Sequence, residues 1–156
     1  MADISTIWHS SLAVSYGDWA VDPVGLALVS GDDIVTAVII SCMTDRVLPD
    51  GVDSPDGSGD PRGWWGDDPG YPIGSRIWTL LRAKQTDETL ANAKAYLIEA
   101  TQWMIDDGVV ASFDVITEWD GPGFLAAEIT AHKPTGAPAV INFGWAWQDV
   151  VNTAAD

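Results

Sequence analysis

The sequence predicts an α+β fold, with short strands near the N-terminus, two to three central helices and a C-terminal three-stranded antiparallel meander. Three observations support this class. Early apolar residues form short runs between turn residues, central ones recur at helical spacing, and those after residue 110 alternate with polar residues. The 156 residues correspond to a single domain, 1–156, since domains average roughly 150 residues.

Residues 1 to about 30 are predicted to form an arm of short extended pieces. Segments 18–21 and 25–29 are strand candidates, and Asp22-Pro23 separates them as a turn. A helix is then expected to start at Gly31-Asp32-Asp33 and to continue to about Met43, because acidic residues favour the first turn of a helix. The β-branched residues in this segment leave a strand as the alternative.

A long acidic loop is predicted at about 45–72. It contains six glycines, five prolines and seven aspartates, and such a length without regular structure is typical of a functional or partly disordered segment. Trp64 and Trp65 stand together in this polar loop, where two exposed indoles would be costly, so another surface is expected to cover them. That surface is either the core of this domain or a partner protein.

The central part of the chain is predicted to be helical. Ile73, Ile77 and Leu81 lie at four-residue spacing and predict a helix from residue 73. A second helix of about 20 residues should begin after Thr86, a good N-cap, and end before Gly108, a typical C-terminal residue.

The last third of the chain is predicted to be an antiparallel sheet. Strands are expected at 113–118, 124–132 and 139–147, with turns at 120–123 and 134–136. In the third strand, Ile141 and Phe143 share one face with Trp145 and Trp147.

The net charge is −16, from 23 acidic and 7 basic side chains. Nucleic acids and anionic membranes need a cationic face, so neither is expected as a partner. The acidic charge lies in the arm, the loop and the sheet, whereas segment 69–105 is nearly balanced. Cys42 is the only cysteine, which excludes an intramolecular disulfide and a cysteine-based zinc cluster.

No catalytic, cofactor or metal site is predicted. Neither histidine, His9 or His132, lies in a catalytic motif, and the few glutamates occur where solvated faces would place them. Calcium loops need acids two residues apart and a closing glutamate. The aspartates of the acidic loop lack both features, so a solvated loop is favoured over a calcium site; they are Asp50, Asp53, Asp56 and Asp60.

Three arginines mark the acidic loop. Arg46 begins it, Arg62 lies in its middle and Arg76 follows its end. Arginine binds carboxylates bidentately, so these side chains are expected to fix the loop to helices of the same chain. The alternative is that some of them cross to a partner protein.

Several motifs in order resemble the Mu-like phage baseplate family, the small wedge or sheath-initiator components of contractile tails. They are the segment 34–46 ending in Thr-Asp-Arg, Arg-Gly-Trp-Trp-Gly-Asp at 62–67, Ile-Gly-Ser-Arg-Ile-Trp at 73–78, Lys-Gln-Thr at 84–86, and Gln-Trp-Met-Ile-Asp-Asp-Gly at 102–108. The similarity extends over about 18–147, and the long acidic loop is its main departure from shorter members.

The resemblance implies a structural, non-enzymatic protein of the virion tail baseplate, made in the host cytoplasm. Its implied partners are other wedge and hub proteins and the tail sheath protein, in several copies around the tail axis; the alternative is a peptidoglycan-cleaving, lysozyme-like tail-tip enzyme. The open edge of the C-terminal sheet suits strand addition to sheath subunits. We predict interface or loop-anchoring roles for Arg46, Arg62, Trp64, Trp65, Asp67, Arg76, Trp145 and Trp147.

Overall fold

A computed structural model describes residues 3–10, 15–31, 33–68 and 70–146. The strands are β1 Asp3–Ile4, β2 Thr6–Ser10, β3 Ser15–Trp19, β4 Val21–Asp22, β5 Ala27–Leu28, β6 Ser30–Gly31, β7 Ser112–Trp119, β8 Phe124–His132 and β9 Ala139–Ala146. The helices are α1 Asp33–Met43 and α2 Asp87–Asp106, with a short 3₁₀ helix, Ile77–Leu80, between them. The predicted α+β class is confirmed, including the N-terminal strands and the C-terminal meander.

The N-terminal strands pair in three small antiparallel units, which are β1 with β6, β2 with β3, and β4 with β5. Strand was expected at 18–21 and 25–29, but the longest pairing joins β2 to β3. Apolar and polar residues do not alternate regularly through β2, so its sequence carried little strand signal. Trp8 of β2 packs edge-on against Phe143 of β9, with ring centroids 6.3 Å apart. The unit formed by β2 and β3 is thereby held on the C-terminal sheet.

α1 forms as predicted, but the prediction of a helix from Ile73 is wrong. Only residues Ile77–Leu80 are helical, as a single 3₁₀ turn. Gly74 has φ +97, which is outside the helical region, and Ser75 forms a parallel bridge with Asp45. The amide and the carbonyl of Ser75 are therefore used to join the two ends of the acidic loop. Of the three apolar residues that predicted the helix, Ile77 is buried, Leu81 is half-buried and Ile73 is exposed, so their spacing does not correspond to one buried helix face.

α2 has the predicted boundaries because both ends are capped locally. The Thr86 hydroxyl accepts a hydrogen bond from the Thr89 amide at 3.1 Å, which satisfies one of the free donors of the first turn. Gly108 follows the helix with φ +71, and the Val109 amide bonds back to the Met104 carbonyl. The buried stripe of the helix is Ala93, Leu97, Ala100, Thr101 and Met104.

The C-terminal sheet has the order β7-β8-β9, with antiparallel pairing throughout. Residues of one face are buried against α1 and α2, among them Val115, Leu125, Ile129 and Ile141. Cys42 on α1 belongs to the same core, where burial raises the pKa of its thiol well above the ordinary value. Among the described residues, none of the helices has the length and apolar character needed to cross a bilayer.

Candidate functional site: the acidic loop and its arginine anchors

The two ends of the acidic loop, 45–72, are joined by backbone hydrogen bonds. The Ser75 amide donates to the Thr44 carbonyl at 2.8 Å, and the Arg46 amide donates to the Ser75 carbonyl at 3.0 Å. The Ser75 hydroxyl donates to the Cys42 carbonyl at 2.6 Å, which ties the junction to the end of α1. A Cβ atom at Gly74 would overlap the Thr44 carbonyl, so the approach of the two segments requires glycine there.

Glu99 on α2 receives arginines from both ends of the loop. Nε and Nη2 of Arg76 lie 2.9 and 2.8 Å from Glu99 Oε2, while Nε of Arg46 lies 3.9 Å from Oε1. The Arg76 guanidinium also lies 4.5 Å from the ring centroid of Tyr96, and Arg46 donates to the Pro72 carbonyl at 2.7 Å. Two arginines that sequence reasoning singled out therefore meet one carboxylate, which lies on α2 outside the loop.

Arg62, in the middle of the loop, is held by two aspartates of the loop region and by the ring of Trp78. Its Nη1 lies 2.7 Å from Asp45 Oδ2 and its Nη2 lies 3.5 Å from Asp56 Oδ2. Its Cζ lies 4.3 Å from the ring centroid of Trp78, within the range of a cation–π contact. The hydrogen bond to Asp45 raises the pKa of the Arg62 guanidinium above its ordinary value. Arg62 adopts φ +54, an uncommon conformation for a non-glycine residue that these contacts hold in place.

Asp56 organises the middle of the loop. Its carboxylate accepts hydrogen bonds from the hydroxyl of Ser54 and the amide of Ser58, and it also contacts Arg62. These bonds, that from the Ser54 hydroxyl most of all, hold the pKa of Asp56 well below its usual value.

The lowered pKa of Asp56 leads to a pH prediction. Because the folded-state pKa is lower than the unfolded value of about 3.9, the carboxylate stabilises the fold above that pH. The contribution is lost as the pH falls from there toward the folded-state pKa. We expect Asp56→Asn to lower Tm at pH 7 and to have progressively less effect below about pH 4. Thermal melts of both proteins between pH 7 and 2 measure this, and a difference in Tm that does not change with pH would contradict it.

The tryptophan turn, residues 62–68, projects from the loop. The Asp67 amide closes the turn on the Trp64 carbonyl at 3.0 Å, and Asp67 Oδ1 accepts from the Ile73 amide at 3.1 Å. Trp64 is 45% exposed and Trp65 is 92% exposed, with their ring centroids 5.4 Å apart. Neither indole fills the core of this domain. This exposure does not agree with the expectation that the pair fills the core of the domain.

The other two candidate tryptophans lie near the end of β9. Trp145 pairs through its backbone with Leu125 of β8, whereas Trp147 lies outside the described residues. Beside Trp145, the Gly144 carbonyl accepts a hydrogen bond from Trp8 Nε1 at 3.0 Å.

The histidines and acidic residues form surface pairs. His132 Nε2 lies 2.7 Å from Asp114 Oδ2 across β8 and β7, and His9 stacks on Tyr16 with centroids 5.0 Å apart. Within the described ranges, no group of three or more His, Cys, Asp or Glu side chains is arranged to hold a metal ion. Asp56 and Asp60 accept hydrogen bonds from loop amides, and Asp45 accepts one from Arg62.

Sequence reasoning placed Glu99 on a solvated helix face and missed its role as the common partner of two arginines. The available signal was its position: Glu99 lies between Leu97 and Ala100, two residues of the buried stripe of α2. A carboxylate so near a buried face needs a partner. The sequence did not identify this partner, because the identity of the partner depends on where the ends of the acidic loop meet α2 in the folded chain.

The family model described as phage protein GP46 matches residues 34–138. The chain belongs to this family. Baseplate protein gp46 of Escherichia phage Mu is 38% identical over 151 residues, which cover 96% of this chain and all of that protein. Mu-like prophage FluMu protein gp46 of Haemophilus influenzae is 36% identical over 150 residues, covering 94% of this chain and 98% of that protein. The resemblance to a Mu-like baseplate family is thereby confirmed.

The match to the GP46 family includes the whole candidate site. It begins in α1 and ends just before β9, so it contains the acidic loop, its three arginine anchors, Glu99 and the tryptophan turn. The N-terminal strands and β9 lie outside it. The two named GP46 proteins nevertheless align with nearly the full chain.

Proposed function

We propose that the protein is a structural, non-catalytic component of a phage tail baseplate, which connects wedge and hub proteins to the first sheath subunits and initiates sheath assembly. Membership of the GP46 family and the name of the Mu relative support the baseplate role. The finer role rests on one structural observation, the outer edge of β9. Copies around the tail axis would each offer this edge to a sheath subunit.

The outer edge of β9 has backbone groups directed away from the sheet. The Gly144 carbonyl accepts a hydrogen bond from Trp8 of β2, so it faces outward but is already occupied within the chain. In an antiparallel strand, outward-facing residues alternate with those bonded to the neighbouring strand, so Val140 and Asn142 also face outward. Both side chains are exposed, and β9 pairs only with β8 among the described strands. An extended segment of another protein can add to such an edge through main-chain hydrogen bonds.

Two other surfaces suit a protein that is covered on several sides. The N-terminal arm exposes large apolar side chains, with Val24 91% and Leu26 85% accessible. Contiguous exposed apolar residues are typical of protein interaction sites. The acidic loop and the sheet carry negative charge that would complement basic patches on neighbouring baseplate proteins. These neighbours would assemble with the protein in the host cytoplasm before it becomes part of the virion tail.

Replacement of Asn142 by proline tests the strand-addition role. Proline removes the outward N–H of residue 142 without removing a hydrogen bond to β8, and proline is tolerated at strand edges. We expect Asn142→Pro to remain folded and to enter baseplates that fail to polymerise sheath. Asn142→Ala, which keeps the N–H, should give normal tails. Electron microscopy of particles from a complemented deletion phage measures the result.

Two results would contradict the proposal. Sheath of normal length on particles that contain Asn142→Pro would overturn the role of this edge. Tails of normal structure and infectivity from a phage that lacks the protein altogether would overturn the baseplate role. Circular dichroism of both purified variants shows whether the sheet is intact.

A further inference from the structure

A cleft of about 310 Å³ lies beside the tryptophan turn. Its walls come from the start of the acidic loop, the tryptophan turn and Pro72 near the end of the loop. The residues that matter for its chemistry are Arg62, Trp64, Trp65, Asp67 and Asp68. The cleft is therefore an aromatic and acidic site at the surface, separate from the edge of β9.

The aromatic walls have accessible faces. Trp65 is almost fully exposed, and its ring is tilted by 48° to that of Trp64. The Trp64 indole folds over Gly66, where a Cβ would lie only 2.5 Å from a ring carbon. Glycine at this position thus allows Trp64 to lie across the turn and form one side of the cleft. Indole faces attract cations, and arginine most often, because the ring carries negative charge on its faces.

The carboxylates of Asp67 and Asp68, which form the acidic wall of the cleft, can accept further hydrogen bonds. Asp67 Oδ1 accepts from the Ile73 amide, but its Oδ2 is shielded from solvent and has no hydrogen-bond partner among the described residues. Asp68 is exposed and accepts one bond, from the Gly70 amide at 2.9 Å. The guanidinium of Arg62 does not balance these charges, because Asp45, Asp56 and the Trp78 ring already hold it. The exposed carboxylate of Asp68 can accept an incoming donor directly, and the carboxylate of Asp67 adds negative charge to the same wall.

We infer that this cleft binds an arginine side chain presented by a neighbouring protein. A guanidinium is flat enough to stack on Trp65, and it carries several N–H donors in a fixed plane that match carboxylates. This inference deepens the proposed baseplate role and rests on it, since it names the chemistry of one contact with a neighbour. It also accounts for two exposed indoles next to two aspartates in the same turn.

The test is a titration of the full chain, labelled with ¹⁵N, with N-acetyl-arginine methylamide. The indole N–H signals of Trp64 and Trp65 are expected to shift, with a Kd in the millimolar range that weakens as salt is raised. N-acetyl-citrulline methylamide has nearly the same shape without charge and is expected to cause no comparable shift. N-acetyl-lysine methylamide should bind at least about threefold more weakly, because ammonium lacks the planar stacking surface.

Variants locate the site. Trp65→Ala and the double variant Asp67→Asn/Asp68→Asn are each expected to weaken binding at least about fivefold. The Asn side chains can still accept the bonds from Ile73 and Gly70, so the turn is retained. Trp19→Ala is the matched control, because Trp19 is 62% exposed beside Asp18 but does not line the cleft. It should leave the affinity unchanged.

Equal binding of the citrulline and arginine compounds, or unchanged binding by Trp65→Ala, would overturn the inference. Either result would leave the baseplate role intact if a phage lacking the protein still forms no tails. Conversely, arginine binding at the cleft together with normal tails in that phage would remove the proposed function, and with it the assignment of the arginine to a baseplate neighbour.

Discussion

Gly74→Ala is expected to lower the free energy of unfolding by about 3 kcal/mol or more. Alanine is strained at φ +97, and its Cβ would overlap the carbonyl of Thr44. The atoms in the way belong to backbone that is itself hydrogen-bonded to Ser75, so they cannot move aside without opening the junction. Urea denaturation of the purified variant, followed by tryptophan fluorescence, measures the loss.

Gly57→Ala is the matched control for this prediction. Gly57 lies in the same loop with φ +71, but no atom lies within 4 Å of the position of an added Cβ. It should therefore show only the cost of the left-handed conformation, about 1 kcal/mol. Equal losses for Gly57→Ala and Gly74→Ala would mean that backbone conformation alone matters and that the close approach to Thr44 does not.

Trp65→Ala is expected to reduce incorporation of the protein into particles by at least about tenfold, which corresponds to roughly 1.4 kcal/mol or more of lost binding. Buried tryptophans are typical centres of binding energy in protein interfaces. The stability of the isolated protein should change by less than about 0.5 kcal/mol, because the side chain is 92% exposed and supports no core packing. Immunoblots of purified particles, set beside urea denaturation of the free protein, measure the two effects separately.

Trp65→Phe provides the comparison, since it keeps an aromatic face at the same place and should retain most of the incorporation. If Trp65→Ala unfolded the free protein, the turn would have to be part of the core in solution. If the variant entered particles at the normal level, the tryptophan turn would not be an anchor to neighbours.

The most secure sequence predictions were those decided by local chemistry. α2 could be bounded because Thr86 and Gly108 act within a few residues of each end. The meander could be predicted because β7 alternates apolar and polar residues and Gly121 and Gly136 mark the turns. In both cases, the physical cause lies within the same stretch of sequence that displays the pattern.

The errors and omissions concern contacts between distant segments. Apolar spacing at Ile73 and Ile77 indicated a helix, but the amide of Ser75 is used to pair with Thr44, some thirty residues earlier. The position of Glu99 indicated that it needs a partner but did not identify the two arginines, because only the folded chain brings both loop ends to α2. For the candidate site, the residue types were predictable and the partners were not. Pairings of this kind depend on which distant segments come together in the folded chain, and local sequence patterns do not contain that information.

The closed junction at the base of the acidic loop has an evolutionary consequence. Because Thr44, Arg46 and Ser75 bond to one another, the ends of the loop stay together whatever lies between them. The entropic cost of lengthening a loop whose ends are already joined grows only slowly with its length. Selection can therefore change the length of the loop or its charged residues with little effect on the fold. Under the proposed role, such a loop would allow related phages to change the specificity of a contact while the scaffold that presents it stays the same.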